Sequence, residues 1–190
     1  VNPMKHFNRQ PMTAIILAGG NSSRMRKEKS LLPVQGAPLI QQVADNLTPY
    51  FQQVIISARE PGGFSFLPYT VVHDKTPGYG PLMGILCGLE ASRNPVNFVI
   101  ACDIPEIDPG YLDLLSGFTH DYEIVVPVSG EGKYEPLFAF YHRGLIDRIR
   151  DMLDRERRKI IELYPMARTK YVPMDSNGWY FNLNTQDDFQ

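Results

Sequence analysis

The chain has little with which to build a disulfide framework. Its 190 residues hold two cysteines, Cys87 and Cys102, at a spacing that suits neither a metal site nor a redox pair. Two reduced thiols in a cytosolic protein are the expectation, and with them a cytoplasmic location. An excess of one charge is missing too. Nineteen Lys and Arg against twenty-one Asp and Glu leave a formal net charge of -2, so no overall basic field exists to hold nucleic acid. No apolar run approaches the ~20 residues that a spanning helix needs, and the one near the start, Ala14 to Ala18, falls far short. Val1 to Pro11 carries Lys5, His6, Asn8 and Arg9 without an apolar centre, so it reads as a loose leader rather than a signal peptide. Internal repeats, low-complexity tracts and long linkers are absent as well.

What is present is ordinary globular composition, 43% hydrophobic and 21% charged. A chain of this size buries roughly 70% of the surface that its unfolded form exposes. Strand and helix signals alternate. Thr13 to Leu17 is a β-branched apolar run that ends in glycines, and Val54 to Ile56, Thr70 to Val72 and Asn97 to Ala101 read as further buried strands. Between them, Leu39, Ile40, Val43 and Leu47 share a helical face, as do Leu82, Ile85, Leu86 and Leu89. Asp108-Pro109 offers an N-cap followed by a first-turn proline, with Leu112 and Leu115 as the apolar face and Gly117 as a stop. Glu123 to Val128 and Leu137 to Tyr141 read as strands, and Leu145 to Leu153 and Arg157 to Leu163 as helices. The alternation predicts one α/β domain over residues 12–190: a mainly parallel sheet with helices on both faces, and a less regular strand order after about residue 120.

The densest chemical signal is Leu17-Ala18-Gly19-Gly20-Asn21-Ser22-Ser23-Arg24-Met25-Arg26-Lys27-Glu28-Lys29. A strand that runs into glycines lets backbone N–H groups approach an anion closely. Ser22 and Ser23 add hydroxyl donors, and Arg24 and Lys29 add positive charge, a set that suits a triphosphate. It is neither a Walker A sequence nor the G-x-G-x-x-G fingerprint.

This loop resembles the L-A-G-G-x-S-x-R-M-G-x-D-K signature of the molybdenum cofactor guanylyltransferase (MobA) family, within the nucleotidyltransferases of Rossmann-like fold. Three further segments resemble that family in the same order: Gly80-Pro81-Leu82-Met83-Gly84, Ala101-Cys102-Asp103-Ile104-Pro105 and Phe181-Asn182-Leu183-Asn184-Thr185. Arg26 and Glu28 depart from the signature, which usually has glycine and aspartate there. The resemblance implies a nucleotide-binding half at about 12–120 and a second-substrate half at about 121–190.

Candidate roles follow residue by residue. Asp103 lies just beyond a strand, where open α/β sheets bind ligands, and a carboxylate is a suitable hard ligand for Mg²⁺ on a triphosphate. The resemblance implies that same metal role; the plain reading of the residue is a turn aspartate before proline. Asp74 resembles the family's aspartate near the guanosine, or is a solvated loop residue. Gly80, Pro81 and Leu82 offer backbone groups to a base edge and also begin a helix. Asn182 and Asn184, two apart in an extended stretch, face one side and suit a second substrate or metal-bound water; Thr185 and Asp188 form a capping box beside them. The Tyr134 to Phe138 segment resembles one that precedes a later family strand, and either borders the second-substrate pocket or packs as strand. Arg143 to Lys159 holds seven basic and four acidic residues, with Asp151/Arg155 and Asp154/Arg158 at i, i+4, so a charge-paired helical face is expected. The remaining methionines and tyrosines are expected in the core.

The resemblance implies transfer of GMP from GTP to the terminal phosphate of molybdenum-molybdopterin, with Mg²⁺, and release of pyrophosphate. It implies catalytic roles for Arg24, Lys29 and Asp103, and nucleotide contacts from Leu17, Ala18, Gly19, Gly20, Ser22 and Ser23. Its implied partners are GTP, molybdopterin-type small molecules, and cofactor-biosynthesis proteins or apo-molybdoenzymes, with no nucleic acid and no membrane. Two alternatives stand beside it: a nucleotidyltransferase of the same fold that uses CTP or a sugar or alcohol phosphate, and a non-catalytic nucleotide-binding accessory factor.

Overall fold

Four short apolar runs, each too brief for a helix and flanked by turn residues, become four adjacent strands of a seven-stranded sheet. The computed structural model describes residues 11–18 and 33–174, apart from 35–36, 61, 63, 77 and 105. Strand β1 is Met12–Leu17; β2 (Pro33–Val34) and β3 (Ala37–Pro38) form a small antiparallel pair before helix α1 (Leu39–Leu47). Strands β4 (Gln53–Ala58) and β5 (Thr70–His73) precede α2 (Pro81–Ala91), and β6 (Val96–Ala101) precedes α3 (Pro109–Ser116). The second half contributes β7 (Ile124–Val128), β8 (Phe138–His142), α4 (Ile146–Asp154) and β9 (Thr169–Pro173).

The sheet order is β5-β4-β1-β6-β8-β7-β9. β1 pairs in parallel with β4 and β6, β4 with β5, and β7 with β9, whereas β8 runs antiparallel to both β6 and β7. The expectation of a mainly parallel sheet with irregular order after about residue 120 is therefore borne out. Both β1 and β6 are buried along their whole length, as their continuous apolar sequences require when helices cover both faces. One core holds α1 and α3 residues such as Ile40, Leu112 and Leu115; the other holds Leu82, Ile85 and Leu89 of α2 and Ile149 and Met152 of α4.

Helix α2 lies unusually close to the sheet because of one small residue. A Cβ added at Gly88 would stand 2.5 Å from Ile15 Cγ2, so only glycine lets the helix settle on β1 at this height. Helix α3 starts as its sequence predicts, with Gly110 N–H donating to the Asp108 carboxylate at 2.8 Å. Gly117 ends it in a right-handed rather than a left-handed conformation.

Two expectations in the last third fail. The helix expected from Arg157 is a 3₁₀ segment over Ile160–Met166, with Pro165 inside it. Glu156 takes φ +57, which breaks the helical course after α4, and a proline so near limits any α-helix that follows. The same break separates Asp154 from Arg158. Asp151 and Arg155 do pair, at 2.9 Å, but Arg158 turns to Glu156 and to residues 78 and 79 instead. The tyrosines also divide: Tyr141 and Tyr164 are core residues, while Tyr134 and Tyr171 are 40% and 43% exposed.

Candidate active site at the carboxyl ends of the strands

From β1 the chain passes to β4 and β5 on one side, then returns through α2 to β6 on the other side of β1. That reversal opens a crevice above the carboxyl ends of β1 and β6, the place where open α/β sheets bind ligands. Two backbone bonds fix its walls: Ala18 N–H donates to Ser57 C=O at 2.8 Å, and Cys102 N–H to Leu17 C=O at 3.2 Å. Leu17 and Ala18 are thus bound into the sheet, with Ala18 at the edge of the crevice. The glycine loop's own Gly19, Gly20, Ser22, Ser23, Arg24 and Lys29, with Arg26 and Glu28, lie outside the described residues, as do Asn182, Asn184, Thr185 and Asp188.

Asp103 sits half-buried in the turn after β6, where Ile104 N–H donates to Ala101 C=O at 3.4 Å. Asp74 follows β5, three strand positions away, or about 14 Å at the usual spacing. The two aspartates therefore share one rim of the sheet without sharing a site, as a long ligand laid across β1 would need. Asp74 is held by its own N–H, which donates to Ala58 C=O at 3.1 Å. Burial raises its carboxyl to a pKa of about 6, against the pull of Arg59 and His73 toward the charged form. Beside it, His73 Nδ1 is buried with no hydrogen-bond partner among the described residues.

Above these strands stands the amino end of α2. Gly80 takes φ +73 there, a left-handed conformation that glycine adopts cheaply, and Pro81 follows in the first turn. Among the described residues no side chain caps the helix and no acidic residue occupies its first turn; Pro81 has no N–H and Met83 N–H donates to Gly80 C=O at 3.2 Å, so the positive dipole end is left without a side-chain partner. Leu82 is fully buried and anchors the first turn in the core beneath the rim. Arg158 braces the preceding loop: its guanidinium lies 4.1 Å above the Tyr79 ring and donates to Gly78 C=O at 3.4 Å.

Several of these residues went unsingled in the sequence. Ser57, buried at 2% exposure, donates its hydroxyl to Gly84 C=O at 3.0 Å and ties β4 to α2. A Cβ at Gly84 would stand 3.2 Å from both Leu17 Cδ2 and Ser57 Oγ, and 3.8 Å from Asp74 Oδ1. The available signal was the i, i+4 pair Gly84 and Gly88, a small-residue face on an otherwise apolar helix. His73 and Arg158 offered none, since each depends on a chain reversal for its neighbours.

Among the described residues, no group of three or more His, Cys, Asp or Glu could hold a metal ion, and no helix is long and apolar enough to cross a membrane. The crevice instead offers one half-buried carboxylate and a helix amino end beside the carboxyl end of β1, which together suit a phosphate-bearing ligand.

Comparison with known proteins agrees with this geometry. A solved structure from Anaerococcus prevotii, 4-diphosphocytidyl-2C-methyl-D-erythritol synthase, shares the fold with a TM-score of 0.68 at 12% identity, covering 96% of each chain. Molybdopterin-guanine dinucleotide biosynthesis protein A of Archaeoglobus fulgidus superposes with a TM-score of 0.77 at 25% identity, over 94% of this chain and 95% of that one. A Vibrio atlanticus protein named molybdenum cofactor guanylyltransferase is 38% identical over 181 residues, 92% of this chain and 91% of its own length. Residues 14–170 match the model of the MobA-like NTP transferase domain, and the chain belongs to that family.

Proposed function

We propose that this protein transfers GMP from GTP to the terminal phosphate of molybdenum-molybdopterin, forming a guanine dinucleotide cofactor and releasing pyrophosphate. The observation that carries the reading is the crevice above β1 and β6, with Ala18 on one wall and Asp103 on the other. The naming of the Vibrio atlanticus and Archaeoglobus fulgidus relatives supports the same reaction.

The chemistry asks for little proton transfer. A phosphate monoester is already anionic at neutral pH, and one of its oxygens bonds to the α-phosphorus while the bond to the bridging oxygen breaks in line. The electron pair leaves with pyrophosphate. What the protein must supply is alignment and charge compensation. Gly19, Gly20, Ser22 and Ser23 present donors to the phosphates, and Arg24 and Lys29 stabilise the charge that gathers on the departing pyrophosphate. Asp74, Gly80, Pro81 and Leu82 take the guanosine end; a carboxyl with a pKa of about 6 is mostly ionised at neutral pH and then gains from the N–H donors of a guanine or the hydroxyls of a ribose. Asn182 and Asn184 serve the second substrate.

A magnesium ion suits the donor set, because Asp103 supplies the hard carboxylate oxygen and the triphosphate supplies most of the others. When bound it offsets phosphate charge at the reacting centre.

Pyrophosphate release tests the proposal, measured with GTP, CTP, ATP or UTP, with and without molybdenum-molybdopterin. Release that requires both GTP and the pterin is expected. A preference for CTP would overturn the named reaction, and tight GTP binding with no release in the presence of authentic pterin would make the protein an accessory factor.

A further inference from the structure

Two exposed tyrosines near the far edge of the sheet are seated on a buried third. Tyr164 is 2% exposed, and its ring meets Tyr134 edge-on at 5.4 Å and Tyr171 at 6.1 Å. The two outer rings lie 5.3 Å apart, tilted by 35°, and each remains about two-fifths exposed. Tyr164 thus fixes both outer rings from below, so their exposed faces are set before any ligand arrives.

The position of these rings points to what they receive. Tyr134 bridges to Val128, on the side of β7 away from β9, and so lies in line with β8. That line is one strand spacing, about 4.8 Å, from β6, whereas β9 with Tyr171 is about 14 Å from it. From Tyr134 the chain runs along the rim to Leu137, whose C=O accepts from Ala101 N–H at 3.0 Å, two residues before Asp103. A shelf therefore begins beside the crevice and extends outward over β7 and β9.

We propose that Tyr134 and Tyr171, seated on Tyr164, stack the fused rings of the pterin substrate while its phosphate reaches the crevice beside Asp103. This assignment rests on the reading of the second substrate given above. Flat heterocycles stack well on tyrosine faces, which lose little conformational freedom on binding. Neither ring need donate a hydrogen bond, so phenylalanine at both positions retains the shelf.

Steady-state GMP transfer by the full chain tests the proposal. Y134A/Y171A should raise the KM for molybdenum-molybdopterin by about tenfold or more, with kcat and the KM for GTP within about twofold of wild type. Y134F/Y171F should restore the pterin KM, which a purely structural role of the hydroxyls would not allow. A second measurement avoids turnover and any unstable variant: titration of neopterin monophosphate, a fluorescent pterin, into the wild-type protein. Saturable quenching that weakens in single Y134A and Y171A variants is expected. An unchanged pterin KM in a folded Y134A/Y171A protein, or the absence of saturable quenching in wild type, would overturn the shelf. Wild-type protein that quenches the probe yet transfers no GMP would leave the shelf standing and remove the proposed reaction.

Discussion

The two ends of the sheet treat their polar groups differently. At the amino end, Thr13 receives hydrogen bonds from Ser92 Oγ at 2.8 Å and Asn94 Nδ2 at 3.0 Å, and donates to Gln53 at 3.1 Å. Asn97, wholly buried, donates to the carbonyls of Asn94, Pro95 and Tyr141, although its own amide oxygen has no partner among the described residues. These groups stitch β1 to the segment between α2 and β6 and serve the fold. At the carboxyl end, Asp74 is pushed toward its neutral form by burial, His73 Nδ1 is unpaired among the described residues, and α2 starts without a side-chain cap. Apart from the Asn97 amide oxygen, the polar groups named at the amino end are satisfied within the chain and belong to the scaffold, whereas those at the carboxyl end want partners that a ligand can supply.

The largest effect that follows separates the ends by function. Asp103→Asn keeps the size of the side chain and removes its charge. GMP transfer should fall on the order of 10²–10³-fold, the scale for losing one preorganised electrostatic group. The melting temperature should stay within about 2 °C, since a half-buried turn residue outside the core contributes little to stability. Turnover and thermal melting on one preparation check both halves. If Asp103→Asn keeps its turnover, the carboxyl end loses its proposed centre.

Thr13→Val reverses the pattern. It preserves shape but takes away the oxygen shared by Ser92 and Asn94, leaving the Asn94 amide without that acceptor in a buried setting. About 2 kcal/mol of stability should be lost, seen as a melting point roughly 4–8 °C lower, with kcat and KM near wild type at 25 °C. A stable Thr13→Val protein with impaired transfer would show that the two ends are coupled through β1.

How much of this was legible beforehand differs between the ends as well. The strands were readable because both faces of β1 and β6 are buried, which makes each an unbroken apolar run. Asp103 and Asp74 were readable because the ends of such strands are functional places in this class of sheet. Tyr134 entered only through a family resemblance that left a second-substrate border and a packed strand both open, and neither Tyr171 nor the contacts of Arg158 were legible. Their placement depends on Glu156 taking φ +57 and on β7, β8 and β9 pairing out of chain order, and neither leaves a period in the sequence. Ser57 looked like one more small residue in a strand until α2 brought Gly84 above it.

The smallest effect is the most specific to the carboxyl end, and its sign distinguishes it. Burial raises the Asp74 carboxyl from 3.8 to about 6, with Arg59 and His73 opposing the rise. Between those two values the folded protein holds more protons at this site than the unfolded chain does. Its contribution to stability is therefore full below about pH 4 and declines as pH rises toward 6. Glu90 and Glu123 run the other way. Burial raises each, but Lys75 and Arg150 outweigh it at Glu90, and the Arg168 N–H with Arg148 outweighs it at Glu123, so both end below the ordinary value. Their stabilisation is lost as pH falls, and it masks Asp74 in the wild-type curve alone. Asp74→Asn isolates it. Urea midpoints of the two proteins from pH 4 to pH 8 should diverge in favour of Asp74→Asn through the window from 4 to 6, then run parallel above about 7. The gap should reach about 1 kcal/mol, after allowance for solvent screening of a half-buried carboxyl. A gap that is constant across the whole range would mean that Asp74 is an ordinary solvated loop residue, and the carboxyl end would lose a group whose ionisation the fold opposes.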